Sequence, residues 1–332
     1  MRSRSVFLTI NLVFLFAMVA VSLSVGASQI DGLVSALVNP GADTSASQIL
    51  WQIRIPRILT ALIVGTALGV AGALAQGTTN NPLAEPAILG TSAGATLAVV
   101  IGVLANAVVI GSIAAMAIAA IGALLATLLT LRFATLDRSV SPLNLVIIGL
   151  ALSATISAIV GLLTTAISRS DARSISFWSF GSLALTSKSD LIPLLVFTVV
   201  GIAIALWIAP NLDLLSLGEA TARHLGIDPL KIRRIALIAL AILIGAAVST
   251  VGTISFLGLA APHIARLIGG PRHRPLMLQS ALLGATILLI ADTLARTIAA
   301  PIELNVGLFT ALIGAPILAL LVRNRQSNWG QA

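Results

Sequence analysis

The sequence predicts an all-α polytopic membrane protein with ten transmembrane helices, and three observations predict it. Hydrophobic residues make up 58% of the 332 positions and charged residues only 9%. The mean hydropathy is +1.08, far above that of soluble domains. Several uncharged runs exceed the roughly 20 residues that cross a bilayer as helix. Cysteine is absent, which excludes disulfides, thiolate metal sites and cysteine nucleophiles. The net charge of +8 lies in short clusters between apolar runs, as orientation signals do, and not along one face as a nucleic-acid surface would require.

The first span is read over Val6–Val25, after Arg2 and Arg4. Its apolar stretch is too long for a signal-peptide core, and no small-residue cleavage site precedes Asp31. Further spans fall near 57–77, 87–106, 109–131, 143–167, 190–208, 235–253, 256–270, 278–297 and 306–322. Two boundaries have thin marks. Pro86 to Leu131 is 46 uncharged residues, about 69 Å as helix, enough for two crossings divided only near Asn106 and Gly111. Gly252 to Gly258 must break a second pair that contains one short member. With the N-terminus inside, thirteen cations face inward against six outward, namely Arg54, Arg57, Arg169, Arg173, Lys188 and Arg296. Both termini are then cytoplasmic. Gly72, Pro82 and Gly90 recur as Gly252, Pro262 and Gly270, each 180 residues on, which predicts two inverted five-helix halves, 1–187 and 188–332, within one domain over 1–332.

The longest polar stretch, 24 residues from Asn211 to Arg234, lies between spans six and seven on the inner side. Its core, Leu217, Gly218, Glu219, Ala220, Thr221, Ala222, Arg223, His224, Leu225 and Gly226, has the spacing of a short surface helix closed by glycines. With Arg223, Lys231, Arg233 and Arg234 close by, it reads as a docking element for a cytoplasmic partner. Glu219 and Arg223, four apart, either pair on one face or turn one member to that partner. A solvated loop with an internal ion pair is the plainer alternative. No Gly-x-x-x-x-Gly-Lys-Ser/Thr sequence occurs, so any nucleotide-driven motor belongs to another chain.

Several segments resemble one family. Arg54-Ile-Pro-Arg57, Gly65-Thr-Ala-Leu-Gly69, Ala71-Gly72, Gln76, Asn81-Pro-Leu-Ala-Glu-Pro86, Leu89-Gly90 and Gly94-Ala95 are similar to the permease subunits of ABC importers for iron chelates, heme and cobalamin. So are Gly252-Thr-Ile-Ser-Phe-Leu-Gly-Leu259, Pro262-His263-Ile264, Arg266, His273-Arg274, Ala291-Asp292, Arg296, Glu303 and Gly314-Ala-Pro316. The likeness runs from about residue 50 to 322.

The resemblance implies a multi-pass inner-membrane protein that pairs with a second permease copy or paralogue, two cytoplasmic ABC ATPases and an extracytoplasmic binding protein. ATP and Mg would act in the partner ATPase, with no cofactor or metal in this chain. The permease would not itself be an enzyme. Leu217–Gly226 would form the coupling helices seated in a groove of the ATPase. Arg54, Arg57 and Arg296 would receive acidic residues of the binding protein; snorkelling to membrane lipid phosphate is the alternative. Asn81 and Leu83 would lie at the cytoplasmic gate beside Ser141 and Asn144, where two prolines break the helix. The substrate is read as a ferric siderophore, with heme and cobalamin as alternatives.

Other residues carry weaker readings. Glu85, the only charge between Arg57 and Arg132, is expected to pair with a cation of the cytoplasmic layer. Asp292 and Arg296 are four apart and should pair. His224, His263 and His273 are not spaced as metal ligands, and His263 reads as a structural hydrogen bonder. In span five, Ser153, Thr155, Ser157, Thr164 and Thr165 either pack helices closely or line a wide path. The rival class is an ion-coupled secondary transporter, for which only Asp292 and Glu85 offer ionisable groups. A membrane enzyme would need clustered catalytic groups at one depth, and none is found.

Overall fold

The computed structural model describes residues 2–26, 32–41, 43–110, 112–136, 139–140, 142–165, 175–184, 186–312 and 314–316. The elements are α1 (Arg2–Ser24), α2 (Leu33–Val38), α3 (Ser45–Gln48), a π-helical turn (Ile49–Arg54) and α4 (Ile55–Thr79). A 3₁₀ turn (Pro86–Leu89), α5 (Thr91–Leu104), α6 (Ile113–Ala134) and α7 (Pro142–Thr165) follow. Between α6 and α7 a two-residue antiparallel rung sets Thr135 opposite Val140. After a short turn of helix over 175–179 come α8 (Lys188–Leu215), α9 (Glu219–His224), α10 (Pro229–Val251), α11 (Leu257–Gly269) and α12 (His273–Ala295). A last apolar helix, Val306–Pro316, is described except at residue 313.

Seven of these helices are long and apolar enough to cross a membrane, and three shorter apolar ones are Thr91–Leu104, Leu257–Gly269 and Val306–Pro316. The chain is an all-helical integral membrane protein. Both thin boundaries fall where the sequence placed them: α5 and α6 separate over 105–112, and α10 and α11 over 252–256. Local chemistry explains the starts. Ser112 accepts the Ala115 N–H, Asp228 accepts from Leu230 and Lys231 ahead of Pro229, and Ser187 with Asp190 forms a reciprocal cap on α8.

Helices α4, α10 and α12 are largely covered by their neighbours, whereas α1 and α7 leave most of their surface outside. Hydrophobicity does not drive helices together in hydrocarbon, so close approach through small residues must. A Cβ on Gly65 would lie 2.4 Å from the Gly284 carbonyl oxygen, and one on Gly72 only 1.7 Å from that of Gly258. Gly94 and Gly122 do the same for α5 and α6. The α4–α12 pair is antiparallel. Gly77 meets His273 at one end and Arg57 meets Asp292 at the other, so the chain has two distinct polar ends.

The echo at 180 residues does not relate equivalent sites. Gly72 lies inside α4, where it allows helix contact, whereas Gly252 ends α10 with φ +74°. Pro82 sits in a turn and Pro262 inside α11. What does recur is a long buried helix, an irregular break and a short helix: α4 with α5, then α10 with α11.

Candidate functional site

At one end, the polar island folds as a six-residue helix between two glycines in the left half of backbone space, Gly218 at φ +103° and Gly226 at +81°. Only glycine adopts the first of these without strain. Ala222 is buried against the body, while Leu217, Arg223 and Leu225 are exposed. Glu219 is held twice. It pairs with Arg223 at 3.3 Å and, at closer range, with Arg233. Arg233 is buried and its Nε donates to the Thr78 carbonyl at 3.0 Å, which ties α9 to the end of α4. Asp213 anchors the other side of the loop, accepting from the His273 backbone N–H at 2.8 Å and facing its Nδ1 at 2.7 Å.

Beyond Thr78 the chain leaves α4 through Asn80 at φ +49°. The Asn81 side chain accepts the Leu83 N–H at 3.0 Å, an Asx turn that makes the break compact. Leu83 is half-buried. Asn144 stands near the start of α7, whose Gly149 and Ser153 pack on the 3₁₀ turn. Ser141 lies outside the described residues. Glu85 corrects the sequence reading. Among the described residues its carboxylate meets no cation but accepts the backbone N–H of Phe256, 171 residues on, in the break between α10 and α11. Phe256 itself has φ +67°.

Both breaks form part of the wall of a cavity of about 550 Å³. Ala87 comes from the first, Thr253 and Ser255 from the second, and Ser153, Ser157 and Thr164 from one face of α7. Ser92 and Thr96 of α5 and Ser176 and Ser179 add hydroxyls, and no charged side chain is among the lining residues. Thr155 and Thr165 turn away and bond their own helix carbonyls. The open question for span five is thus divided: three of the five hydroxyl residues face the cavity. Such a wall offers weak, reversible hydrogen bonds over a wide surface and no titratable group for chemistry.

The other end carries a buried charge cluster. Arg57 donates from Nε to Asp292 at 2.9 Å and from Nη1 to Glu303 at 2.9 and 3.0 Å. Asp292 also faces Arg296 at 3.6 Å, the pairing expected from their spacing. Arg296 and Arg54 donate to the Ser22 and Leu23 carbonyls at 2.6 Å each. These are the last, unsatisfied carbonyls of α1, where the helix dipole favours cations. The resemblance implied that these arginines receive acidic residues of a binding protein. Arg54, Arg57 and Arg296 are instead 3, 5 and 4% exposed, held by internal partners. Glu303, whose role sequence reasoning missed, keeps 33% of its side chain exposed. Its signals were its place among the residues of the family resemblance and its position just past a span that ends in two charges.

His263 is buried in the wall of a separate, almost wholly apolar cavity of about 270 Å³ between α11, α12 and 306–314. Among the described residues no three His, Asp or Glu side chains cluster to hold a metal.

A bundle of seven long and three short apolar helices around a hydroxyl-lined cavity, with an anchored polar loop at one end, is that of a membrane transport protein. Residues 12–324 match the FecCD transport family, and the chain belongs to it. The Helicobacter pylori "Probable iron chelatin transport system permease protein" is 39% identical over 253 residues, 76% of each chain. The Vibrio cholerae "Vitamin B12 import system permease protein BtuC" is 39% identical over 287 residues, 84% of each chain. A solved inward-facing metal-chelate type ABC transporter superposes with a TM-score of 0.82 at 30% identity, covering 96% of this chain and 99% of that one.

Proposed function

We propose that the chain is the translocation subunit of an ATP-driven importer that carries a metal chelate, a ferric siderophore in the first instance, across the cytoplasmic membrane by alternating access. The observation that carries this is the uncharged, hydroxyl-rich cavity whose walls are two helix breaks, one tied through Thr78 and Arg233 to the exposed helix α9. Neutral hydroxyls suit the oxygen-rich surface of a chelate, and weak binding suits passage. Heme and cobalamin permeases of the same family are the alternatives.

The reading includes ten spans with cytoplasmic termini, the three short helices counting as crossings. It makes α9 the coupling element for two ABC ATPases, which bind ATP and Mg. A polar wall cannot face hydrocarbon, so a second permease, copy or paralogue, closes the cavity. An extracytoplasmic binding protein loads it at the Arg54, Arg57 and Arg296 end. An ion-coupled transporter fits less well, because the ionisable groups nearest the bundle interior, Asp292 and Glu85, are engaged in structural bonds.

The test is reconstitution of the chain with its ATPase and binding protein in vesicles. ATP-dependent uptake of a ferric siderophore, set against heme and cobalamin, decides the substrate. Uptake driven by an ion gradient without ATP sinks the whole reading.

A further inference from the structure

The bond between Glu85 and Phe256 joins two places where the membrane fold is weakest. Broken helices leave backbone groups without helical partners, which is tolerated at depth only against protein or a cavity. Here the two breaks meet each other. Glu85 is only 9% exposed, and its carboxylate takes the amide of Phe256, the residue that caps α11 in a left-handed conformation that non-glycine residues rarely adopt. Next to it, Pro86 packs on Gly258 so closely that a Cβ there would lie 2.8 Å from the proline Cδ. On the cavity side of this seam stand Ala87, Thr253 and Ser255.

We propose that Glu85 is a positioning residue that clamps the two breaks together and thereby sets how far the hydroxyl-lined cavity opens at their seam. The clamp rests on the translocation reading for its purpose but not for its geometry. Chemistry supports a carboxylate at this place. A buried backbone N–H outside a helix must find an acceptor, and a charged acceptor makes about twice as strong a bond as a neutral one. The bond joins two segments 171 residues apart, beside the Pro86–Gly258 contact, so its making or breaking bears on their separation. One end of the same break is held by Arg233 through Thr78, which places the clamp between α9 and the cavity.

The chain contains no cysteine, so a reporter thiol at Ser92, buried on the α5 wall of the cavity just past the first break, is unique. The full chain carrying Ser92→Cys is inserted in vesicles and its modification by a membrane-impermeant thiol reagent is timed, with no substrate or ATPase present. Glu85→Ala should raise the rate about tenfold, the factor by which losing one net hydrogen bond to a charged group shifts an opening equilibrium. Glu85→Gln, which keeps a neutral acceptor oxygen in place, should give a rate between those of the parent and Glu85→Ala. Gly258→Ala, which wedges the same seam without touching the carboxylate, should also raise it. If Glu85→Ala is not recovered folded, Glu85→Asp, shorter by one methylene, is timed instead and should be accelerated.

An unchanged rate in folded Glu85→Ala or Glu85→Asp overturns the clamp, as does a Gln variant as fast as Ala. Failure of ATP-driven uptake in the parent would overturn the importer reading and leave this measurement standing.

Discussion

Gly69 and Ser280 mark the closest passage of α4 against α12: a Cβ on Gly69 would lie 2.0 Å from the Ser280 carbonyl oxygen. The neighbour is backbone and cannot swing aside. Gly69→Leu should therefore separate the two helices and prevent recovery of monodisperse protein, and Gly69→Ala should lower the melting temperature by several degrees. Gly161→Ala, with nothing within 4 Å of its Cβ, is the control and should melt like the parent. Detergent-solubilised protein, followed by size exclusion and thermal melting, reads both. Equal melting of Gly69→Ala and Gly161→Ala would contradict the packing argument.

How much of this was legible in the sequence depends on the range of each interaction. The α9 loop was readable because its signals are local: glycines at both ends and an Asp228-Pro229 start for α10. The break at 252–256 was readable for the same reason. The charge cluster was not, since Arg57 meets Asp292 and Glu303 across 235 and 246 residues, and nothing local announces that Arg54 and Arg296 cap α1. Glu85 was misread because an isolated charge suggests a cation, whereas the fold supplies a backbone amide. The misplaced register of the 180-residue echo has a physical cause too. Glycine serves close approach at Gly72 and a left-handed cap at Gly252, and one letter does not distinguish them.

Arg223 and Arg233 share Glu219 but should behave differently. The Arg223 pair is more than half exposed on the arginine side, and such pairs contribute roughly 0.2 to 1 kcal/mol, so Arg223→Ala should leave stability almost unchanged. Arg233 is 5% exposed and also holds Thr78, so Arg233→Ala takes the donor from the Thr78 carbonyl, leaves Glu219 with Arg223 alone, and should cost about 1–3 kcal/mol. In the reconstituted complex, Arg233→Ala should lower transport per ATP while hydrolysis continues. Arg223→Ala, on the exposed face, should instead weaken ATPase association. Identical phenotypes would deny the division between anchor and docking face.

At the opposite end Glu303 occupies Arg57 and adds a negative charge where acidic residues of a binding protein are proposed to dock. Glu303→Gln should therefore strengthen association at low salt, with the gain fading as ionic strength rises. Arg57→Glu would bury a third carboxylate beside Asp292 and Glu303 and should prevent folding, so Arg54→Gln, which removes a charge at this end while keeping a donor for the Leu23 carbonyl, is the variant that should weaken it. Surface-bound transporter titrated with loaded binding protein at two ionic strengths measures both. Salt-independent affinity in all variants would show that these buried arginines serve α1 and α12 alone.

The cavity wall yields the sharpest contrast. Ser157 and Thr155 lie two residues apart on α7, but only Ser157 lines the cavity, while Thr155 bonds the Ala151 carbonyl on an exposed face. A tryptophan at 157 places a large rigid side chain in a space of about 550 Å³. Ser157→Trp should block uptake of a bulky chelate while leaving basal ATP hydrolysis intact, because α9 and its anchors are untouched. Thr155→Trp should cost far less uptake. Removing one hydroxyl without filling the space, by Ser157→Ala, should change the uptake rate only about two- to tenfold, since it contributes at most about one net hydrogen bond of 0.5–1.5 kcal/mol. Uptake in proteoliposomes, normalised to ATP hydrolysed, distinguishes these outcomes. If Ser157→Trp transports as the parent does, the chelate passes by another route and the cavity is not its path.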